Sequence, residues 1–144
     1  MFSKACEYGI RATLHIALQS EEGRRVSLKD IADGVDSPVA FTAKILQQLA
    51  RSGIIHSVKG PAGGYEMDKD QRKSVSLCQI VEAIDGDQIY NGCGLGLPEC
   101  NEAKPCPVHH EFKVIRDQLR EMLETTNVEK LMTGLHSGIA FLKQ

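Results

Sequence analysis

Three cysteines lie close together in the second half of the chain, with a spacing that could bind metal. Cys93, Cys100 and Cys106 are separated by six and then five residues, and His109 follows shortly after the third. Thiolate sulfur favours zinc, copper(I) and iron–sulfur clusters. Zinc sites more often pair cysteines about two to four residues apart, so the wide spacing favours an iron–sulfur cluster, with zinc as second choice.

The loop that carries these cysteines supplies three of the four protein ligands that a cluster needs. Residues 91–107 also hold three glycines and three prolines, which predicts an irregular segment that a bound group would order. His109 or His110 could provide the fourth ligand, and so could Glu7 of a partner subunit, with Cys6 as a competitor. The pattern leaves open whether the cluster has two or four irons. Alternatively, the loop carries free, reduced thiols.

Composition narrows the class of protein. The chain has 144 residues, 42% hydrophobic and 25% charged, which are ordinary values for a folded globular domain. It shows no signal-peptide pattern and no run of about 20 apolar residues, which predicts a cytoplasmic protein with no membrane partner. Five cysteines, an odd number, suit metal or redox chemistry better than a disulfide framework. The isolated Cys78, beside Leu77 and Ile80, is predicted to lie in the core.

The sequence contains no pattern typical of an enzyme active site. There is no Cys-x-x-Cys pair, nucleophile triad, carboxylate pair or phosphate-binding loop. A small thiol-based redox enzyme is therefore the weakest hypothesis, and no catalytic residue is predicted.

Hydrophobic periodicity predicts a mainly α-helical protein with one small β-hairpin. Helix start and stop signals and turn residues divide the chain into segments. The predicted helices cover residues 3–20, 27–34, 37–52, 77–85, 112–125 and 128–142, the strands cover 54–58 and 65–67, and a charged linker covers 68–74. Helix, tight turn, helix and two-stranded wing form the order of a winged helix-turn-helix.

In such a motif the second helix of the pair enters the major groove of double-stranded DNA, and the hairpin reaches the minor groove. Residues 1–76 carry 11 Lys and Arg against 9 Asp and Glu, whereas residues 77–144 carry 6 against 10, which mildly favours DNA binding by the first part. The predicted phosphate anchors are Lys4, Arg11 and Lys29. The predicted groove contacts are Ala40, Phe41, Ala43 and Lys44 on the helix, and Lys59 and Gly60 on the wing.

Five motifs together make the sequence resemble the IscR/NsrR/CymR-type family of bacterial transcription regulators. They are YGIRA at residues 8–12, SLKDIA at 27–32, ILQQL at 45–49, SVKGPAGGY at 57–65 and CPVH at 106–109. The resemblance covers nearly the full length of the chain. It implies a winged helix-turn-helix domain over residues 1–76 and, over 77–144, a cysteine loop (91–110) with a helical dimerisation region.

The resemblance also implies partners and ligands. Family members pair as homodimers through a long C-terminal helix, here from Phe112 to Thr125, and bind palindromic operators. Many sense redox state, nitric oxide or iron–sulfur supply through a cluster, and the three loop cysteines fall on its cysteine ligands. His109 falls on a histidine ligand, and Glu7 falls where some relatives use an acidic residue from the other subunit.

The sequence departs from the family pattern at three places. Lys59 stands where the wing commonly has arginine, and lysine lacks the planar guanidinium fork. Ala43 replaces a bulkier residue, and the first cysteine spacing is one residue longer than in the cluster-assembly regulators. The operator sequence therefore cannot be transferred from relatives, and a cluster-free regulator based on thiols or zinc remains the alternative.

Overall fold

Eight helices and one two-stranded sheet make up the chain. The computed structural model describes residues 1–144. The elements in chain order are α1 (Lys4–Glu21), α2 (Leu28–Val35), α3 (Val39–Arg51), β1 (His56–Val58), β2 (Gly64–Glu66), α4 (Lys69–Ser74), α5 (Leu77–Asp85), α6 (Gln88–Asn91), α7 (His109–Thr125) and α8 (Val128–His136). The predicted mainly α-helical fold with a small antiparallel hairpin is confirmed. None of the helices is both long and apolar enough to cross a bilayer.

Side-chain caps fix where five of the eight helices begin, α1, α2 and α8 among them. Ser3 Oγ accepts a hydrogen bond from the backbone N–H of Cys6 at 3.0 Å, and Ser27 Oγ accepts one from Asp30 at 3.1 Å. Asn127 caps α8 in the same way. Each bond satisfies a backbone donor that has no partner within the helix, so these residues set the starts of α1, α2 and α8.

Replacing Ser27 by alanine tests the cap of α2, the first helix of the helix-turn-helix. We expect Ser27→Ala to lower the free energy of unfolding by about 1 kcal/mol, because the N–H of Asp30 loses its acceptor. Urea denaturation followed by circular dichroism measures the change. Ser74→Ala, at an exposed position in α4, is the control and should cost less than about 0.5 kcal/mol. Equal losses would contradict the capping role.

A third short segment extends the hairpin. Ser57 pairs with Tyr65 between β1 and β2, and Tyr65 also exchanges two backbone hydrogen bonds with Val26, at 3.1 and 2.8 Å. Gly64 permits this close approach, because its φ is 142° and a Cβ there would lie 2.6 Å from the Val26 carbonyl oxygen. The wing is therefore tied to the segment that leads into α2.

One hydrophobic core joins the two halves of the chain. On α3, Ile45, Leu46 and Leu49 are fully buried, as their spacing predicts. Ile80 on α5 and Leu123 on α7 belong to the same core. The boundary at residue 76 therefore marks no gap in packing, and the division of the chain by function stays a prediction.

Residues 68–74, predicted as a charged linker, instead form α4. The Asp68 carboxylate accepts a hydrogen bond from the backbone N–H of Gln71 at 2.7 Å, and the Gln71 side chain accepts one from the Asp68 N–H at 3.0 Å. This reciprocal capping box stabilises a helix with no buried side chain, so no hydrophobic period reveals it. The one-turn helix α6 was also missed, because a single turn is too short to show a period.

The end of α2 differs from the prediction. The helix continues past Gly34 to Val35 and ends at Asp36, whose φ of 59° places it in the left-handed region. Gly34 instead makes room for His15, since a Cβ at position 34 would lie 2.7 Å from the His15 ring. The lack of a side chain at Gly34 therefore lets α2 pack closely against α1, and Gly34 does not end the helix.

Other boundaries are also shorter or shifted. α8 ends at His136 rather than at residue 142, because the chain turns at Gly138 with a φ of 72°. β1 begins at His56, since Ile54 and Ile55 before it point into the core and form no ladder. α7 begins at His109, one turn earlier than its apolar stripe predicts.

Candidate functional site

A tight turn joins the two helices of the helix-turn-helix. α2 ends at Val35 and is followed by its cap residue Asp36, and α3 begins directly after Pro38. Thr42 is buried, and its Oγ1 is hydrogen-bonded to Ser37 Oγ and to the Pro38 carbonyl oxygen, both at 2.8 Å. These bonds hold the first turn of α3 against the loop and fix which face of α3 points outward.

The outward face of α3 carries the residues predicted to contact DNA. Ala40 and Lys44 are exposed, whereas Phe41 and Ala43 are half-buried. The Phe41 ring packs edge-on against Tyr8 of α1, with ring centroids 5.7 Å apart. Part of Phe41 is therefore occupied by packing, and Lys44 is the one exposed charged side chain among the four.

The Tyr8 ring contacts three of the predicted DNA-contacting residues, which therefore lie on one side of the molecule. Besides Phe41, the Arg11 guanidinium lies 4.7 Å from the Tyr8 ring centroid, and the Lys4 ammonium lies 5.6 Å from it. Sequence reasoning missed this role of Tyr8. The sequence does carry a signal for this role, because Lys4 and Arg11 lie one helical turn before and after Tyr8 and therefore share a face of α1 with it.

The wing presents Lys59 and Gly60 at its exposed tip. Gly60 has a φ of 102°, which favours glycine at this turn. Arg25 supports the hairpin, because its Nε donates to Glu66 at 2.9 Å and its guanidinium also donates to the Ala62 carbonyl. Arg25 was not predicted as a site residue. Lys29, a predicted phosphate anchor, is exposed in the first turn of α2.

The cysteine loop folds against the start of α7. Cys100 Sγ lies 3.3 Å from His109 Nδ1, and Cys106 lies close enough to Cys93 to lower the pKa of its thiol. No three His, Cys, Asp or Glu side chains of the chain converge closely enough to hold a single metal ion. The four predicted donors are thus grouped as two pairs.

Arg116 on α7 links the parts of this loop. Its guanidinium donates to Cys100 Sγ at 3.0 Å and to the carbonyl oxygen of Gly92. The residue is only 9% exposed, and its Nε has no hydrogen-bond partner. Sequence reasoning missed Arg116, although its position two helical turns after His109 puts both residues on one face of α7.

The donor set fits a sulfur-ligated metal group. His109 is 3% exposed, and its Nε2 has no hydrogen-bond partner. Buried polar nitrogens are normally paired, so this ring nitrogen is free to meet a ligand. Thiolate and imidazole donors are the ones that iron–sulfur clusters use.

The surroundings of Cys93 favour its thiolate form. Hydrogen bonds from the backbone N–H groups of Leu95 and Leu97 lower the pKa of the Cys93 thiol, and Cys106 and Arg116 add smaller effects in the same direction. A lower pKa makes the deprotonated sulfur, which binds metal and reacts with oxidants, available nearer neutral pH.

The two cysteines outside the loop are buried. Burial, aided by the negative charge of Asp85, raises the pKa of Cys6 to about 12, so this sulfur stays a neutral thiol. Cys78 lies in the core, as predicted, and burial raises the pKa of its thiol. Glu7 is half-exposed on α1 and lies 3.5 Å from Lys4. A contact between Glu7 and a partner's loop stays a prediction.

The outward α3, the tight turn before it and the slim hairpin define the class of winged helix-turn-helix transcription regulators. The chain belongs to the Rrf2 family, described as iron-dependent transcriptional regulators, because the family model matches residues 2–134. This family consists of transcription regulators and not of enzymes, so the resemblance and the non-enzyme class are both confirmed.

Named relatives share most of the chain. A protein of Aquifex aeolicus, provisionally named an HTH-type transcriptional regulator, is 30% identical over 134 residues, or 92% of this chain and 91% of its own. The transcriptional regulator IscR of Escherichia coli is 28% identical over 127 residues, or 88% of this chain and 76% of its own.

Solved structures share the fold. CymR of Bacillus subtilis, described as the global cysteine regulator, gives a TM-score of 0.75 at 22% identity and covers 92% of this chain and 96% of its own. IscR of T. potens gives 0.75 at 17% identity, with 98% and 92% covered.

Proposed function

We propose that this regulator binds palindromic operator DNA as a homodimer, and that an iron–sulfur cluster in the cysteine loop adjusts its affinity. The observation that carries the proposal is the Cys100–His109 pair, with an unpartnered buried Nε2, beside the Cys93–Cys106 pair. These four residues are the proposed ligands, and Glu7 of the partner subunit is the alternative to His109. A bound two-iron or four-iron cluster would supply sensitivity to redox state, nitric oxide or iron–sulfur supply.

The position of the loop supports a link between ligand state and DNA affinity. Residues 91–110 run directly into α7, and Arg116 attaches that helix to Cys100. A change in the loop therefore acts on α7, which we propose as the dimerisation helix. A shift of this helix would alter the separation of the two recognition helices, which must match half-sites about one turn of DNA apart.

We propose that residues 1–76 form the DNA-binding part. Lys44 would read the major groove, and Lys59 and Gly60 would enter the minor groove. Phe41, Ala40 and Ala43 would line the α3 surface, and Lys4, Arg11 and Lys29 would bind phosphates. The grouping of Lys4, Arg11 and Phe41 around Tyr8 supports a continuous surface.

Removing the accessible lysine of α3 tests the groove assignment. We expect Lys44→Ala to weaken binding to operator DNA roughly tenfold or more, because a base or phosphate contact in the major groove is lost. Fluorescence anisotropy at fixed salt measures the affinity. Lys130→Ala removes the same charge from an exposed position on α8 and should leave the affinity within about twofold. Equal losses would contradict the assignment.

An exposed apolar stripe on α7 supports the homodimer. Phe112, Ile115, Leu119 and Met122 follow the alternating three- and four-residue spacing of a helix–helix seam. Ile115 is 58% exposed and Met122 is 43% exposed, although both are large and apolar. A second copy of this helix would cover the stripe and, by its symmetry, match a palindromic site.

A direct test compares cluster-loaded and cluster-free protein. The chain is purified without oxygen, its visible absorption is recorded, and its affinity for the promoter DNA of its own gene is measured before and after cluster removal. We expect a coloured protein and an affinity change of at least tenfold. Equal affinities would remove the sensing role while leaving DNA binding intact.

A cluster-free thiol sensor is the second candidate. It is favoured by the lowered pKa of Cys93 and by the fold shared with CymR, a regulator also solved in an oxidised form from Staphylococcus aureus. For this candidate the anaerobic protein is colourless, and mild oxidation alone changes the DNA affinity. Zinc in the same loop would also give a colourless protein, and metal analysis separates the two.

A further inference from the structure

We propose that Arg116 is the internal counter-charge of the cysteine site: its guanidinium positions Cys100 and offsets the negative charge of the ligand thiolates. This inference rests on the proposed function, because it assigns a role toward the same ligands. The guanidinium is buried in the wall of the site, where it contacts Cys100.

Arg116 is held in the site from two directions. It donates to Cys100 Sγ at 3.0 Å and to the carbonyl of Gly92, the residue just before Cys93. The Arg116 side chain thus holds both the part of the loop that carries Cys93 and the part that carries Cys100. Arg116 is only 9% exposed, and its Nε has no hydrogen-bond partner. The guanidinium has therefore lost its contacts with water without replacing all of them by hydrogen bonds within the protein.

No carboxylate neutralises Arg116, although its neighbours have partners. Lys113 lies 3.1 Å from Asp117 and 3.8 Å from Glu102, and Arg120 lies 3.9 Å from Glu124 and stacks on the ring of Tyr90. Arg116 forms no ion pair within 4 Å. A buried cation without an anion is strongly unfavourable, so the fold is arranged for negative charge beside it.

The proposed cysteine ligands themselves would supply the negative charge beside Arg116. Three thiolates outweigh the positive charge of either common cluster core, so an assembled site is anionic. Arginine stays protonated at all physiological pH values, and its planar fork can hold a sulfur and a carbonyl together. Adding one electron from an external reductant, with no bond made or broken, increases the negative charge. A fixed cation nearby must therefore favour the reduced form.

The test is an anaerobic redox titration of reconstituted wild type, Arg116→Gln, Arg116→Lys and Arg120→Gln, with dithionite as the one-electron donor. Glutamine keeps hydrogen-bonding capacity but removes the charge, and lysine keeps the charge. Arg120→Gln removes a charge one helical turn further along α7. At the wild-type midpoint, the ratio of reduced to oxidised Arg116→Gln should fall about tenfold, which is about 59 mV for a one-electron couple. Arg116→Lys and Arg120→Gln should lie near wild type.

Each outcome of the titration supports or overturns the role of Arg116. An Arg116→Gln midpoint equal to wild type, or an equal shift in Arg120→Gln, overturns the role of Arg116 and leaves the cluster proposal standing. A wild type that stays colourless after reconstitution overturns the cluster proposal and this inference with it. Loss of the cluster in Arg116→Gln but not in Arg116→Lys supports the counter-charge. Loss of the cluster in both variants supports only the positioning of Cys100 and overturns the counter-charge.

Discussion

Replacing Cys106 by alanine is expected to abolish the visible absorption of the anaerobic protein. The mutation removes one of three proposed thiolate ligands, the one that lies near Cys93, so the remaining donors cannot hold a cluster. Visible absorption and iron content, measured after identical reconstitution, should both fall by about tenfold or more. Circular dichroism should stay unchanged, because the loop contributes no residue to the hydrophobic core.

Cys6→Ala is the matched control for this experiment. Cys6 is also a cysteine, but it is buried and its pKa is raised to about 12, so its neutral thiol is a poor ligand. The control should keep full colour, with only the stability loss expected for a small cavity. A coloured Cys106→Ala protein would show that the loop is not the ligand source. A colourless Cys6→Ala protein that stays folded would bring Cys6 into the ligand set.

A charge in the exposed stripe of α7 should separate the dimer. Ile115→Glu is expected to give a monomer at micromolar concentration, because burying an unpaired carboxylate in an apolar seam is strongly unfavourable. Affinity for a palindromic operator should then fall roughly a hundredfold or more, since the second half-site no longer adds to the first. Analytical ultracentrifugation and anisotropy measure the two effects.

Ile139→Glu makes the same chemical change elsewhere. Ile139 is 83% exposed beyond the end of α8 and lies outside the proposed seam. This variant should stay dimeric and bind DNA as wild type does. A dimeric Ile115→Glu protein would place the dimer interface on another surface, and a monomer with full operator affinity would remove the need for two half-sites.

Much of the fold of residues 1–76 could be predicted from the sequence, because its signals are local. Ser27 is a strong helix cap, and the period of Ile45, Leu46 and Leu49 marks the buried side of α3. Gly60 and Gly64 of the wing adopt positive φ angles, which glycine tolerates best. The helix at 68–74 escaped prediction since its stability comes from the reciprocal bonds of Asp68 and Gln71 rather than from burial.

The site was predictable only in part, because its assembly depends on contacts between distant segments. The cysteine spacing and His109 identify donors, yet nothing local indicates that Cys100 meets His109 or that Cys93 meets Cys106. Arg116 lay inside an amphipathic helix pattern, where a charged residue normally faces water. Its burial follows from the loop folding over it, which only the three-dimensional arrangement reveals.

The two ends of α7 are attached to different parts of the chain. At its C-terminal end, two backbone hydrogen bonds join the chain to the start of α5. The N–H of Leu77 donates to the Thr126 carbonyl at 2.8 Å, and the N–H of Val128 donates to the Val75 carbonyl at 2.9 Å. At its N-terminal end, α7 is joined to the loop by the side chains of His109 and Arg116, together with a backbone hydrogen bond from the N–H of His109 to the Cys106 carbonyl at 3.0 Å. We therefore expect a displacement of the cysteine loop to move the N-terminal end of α7 more than its C-terminal end, because the backbone bonds near residue 126 hold that end in place.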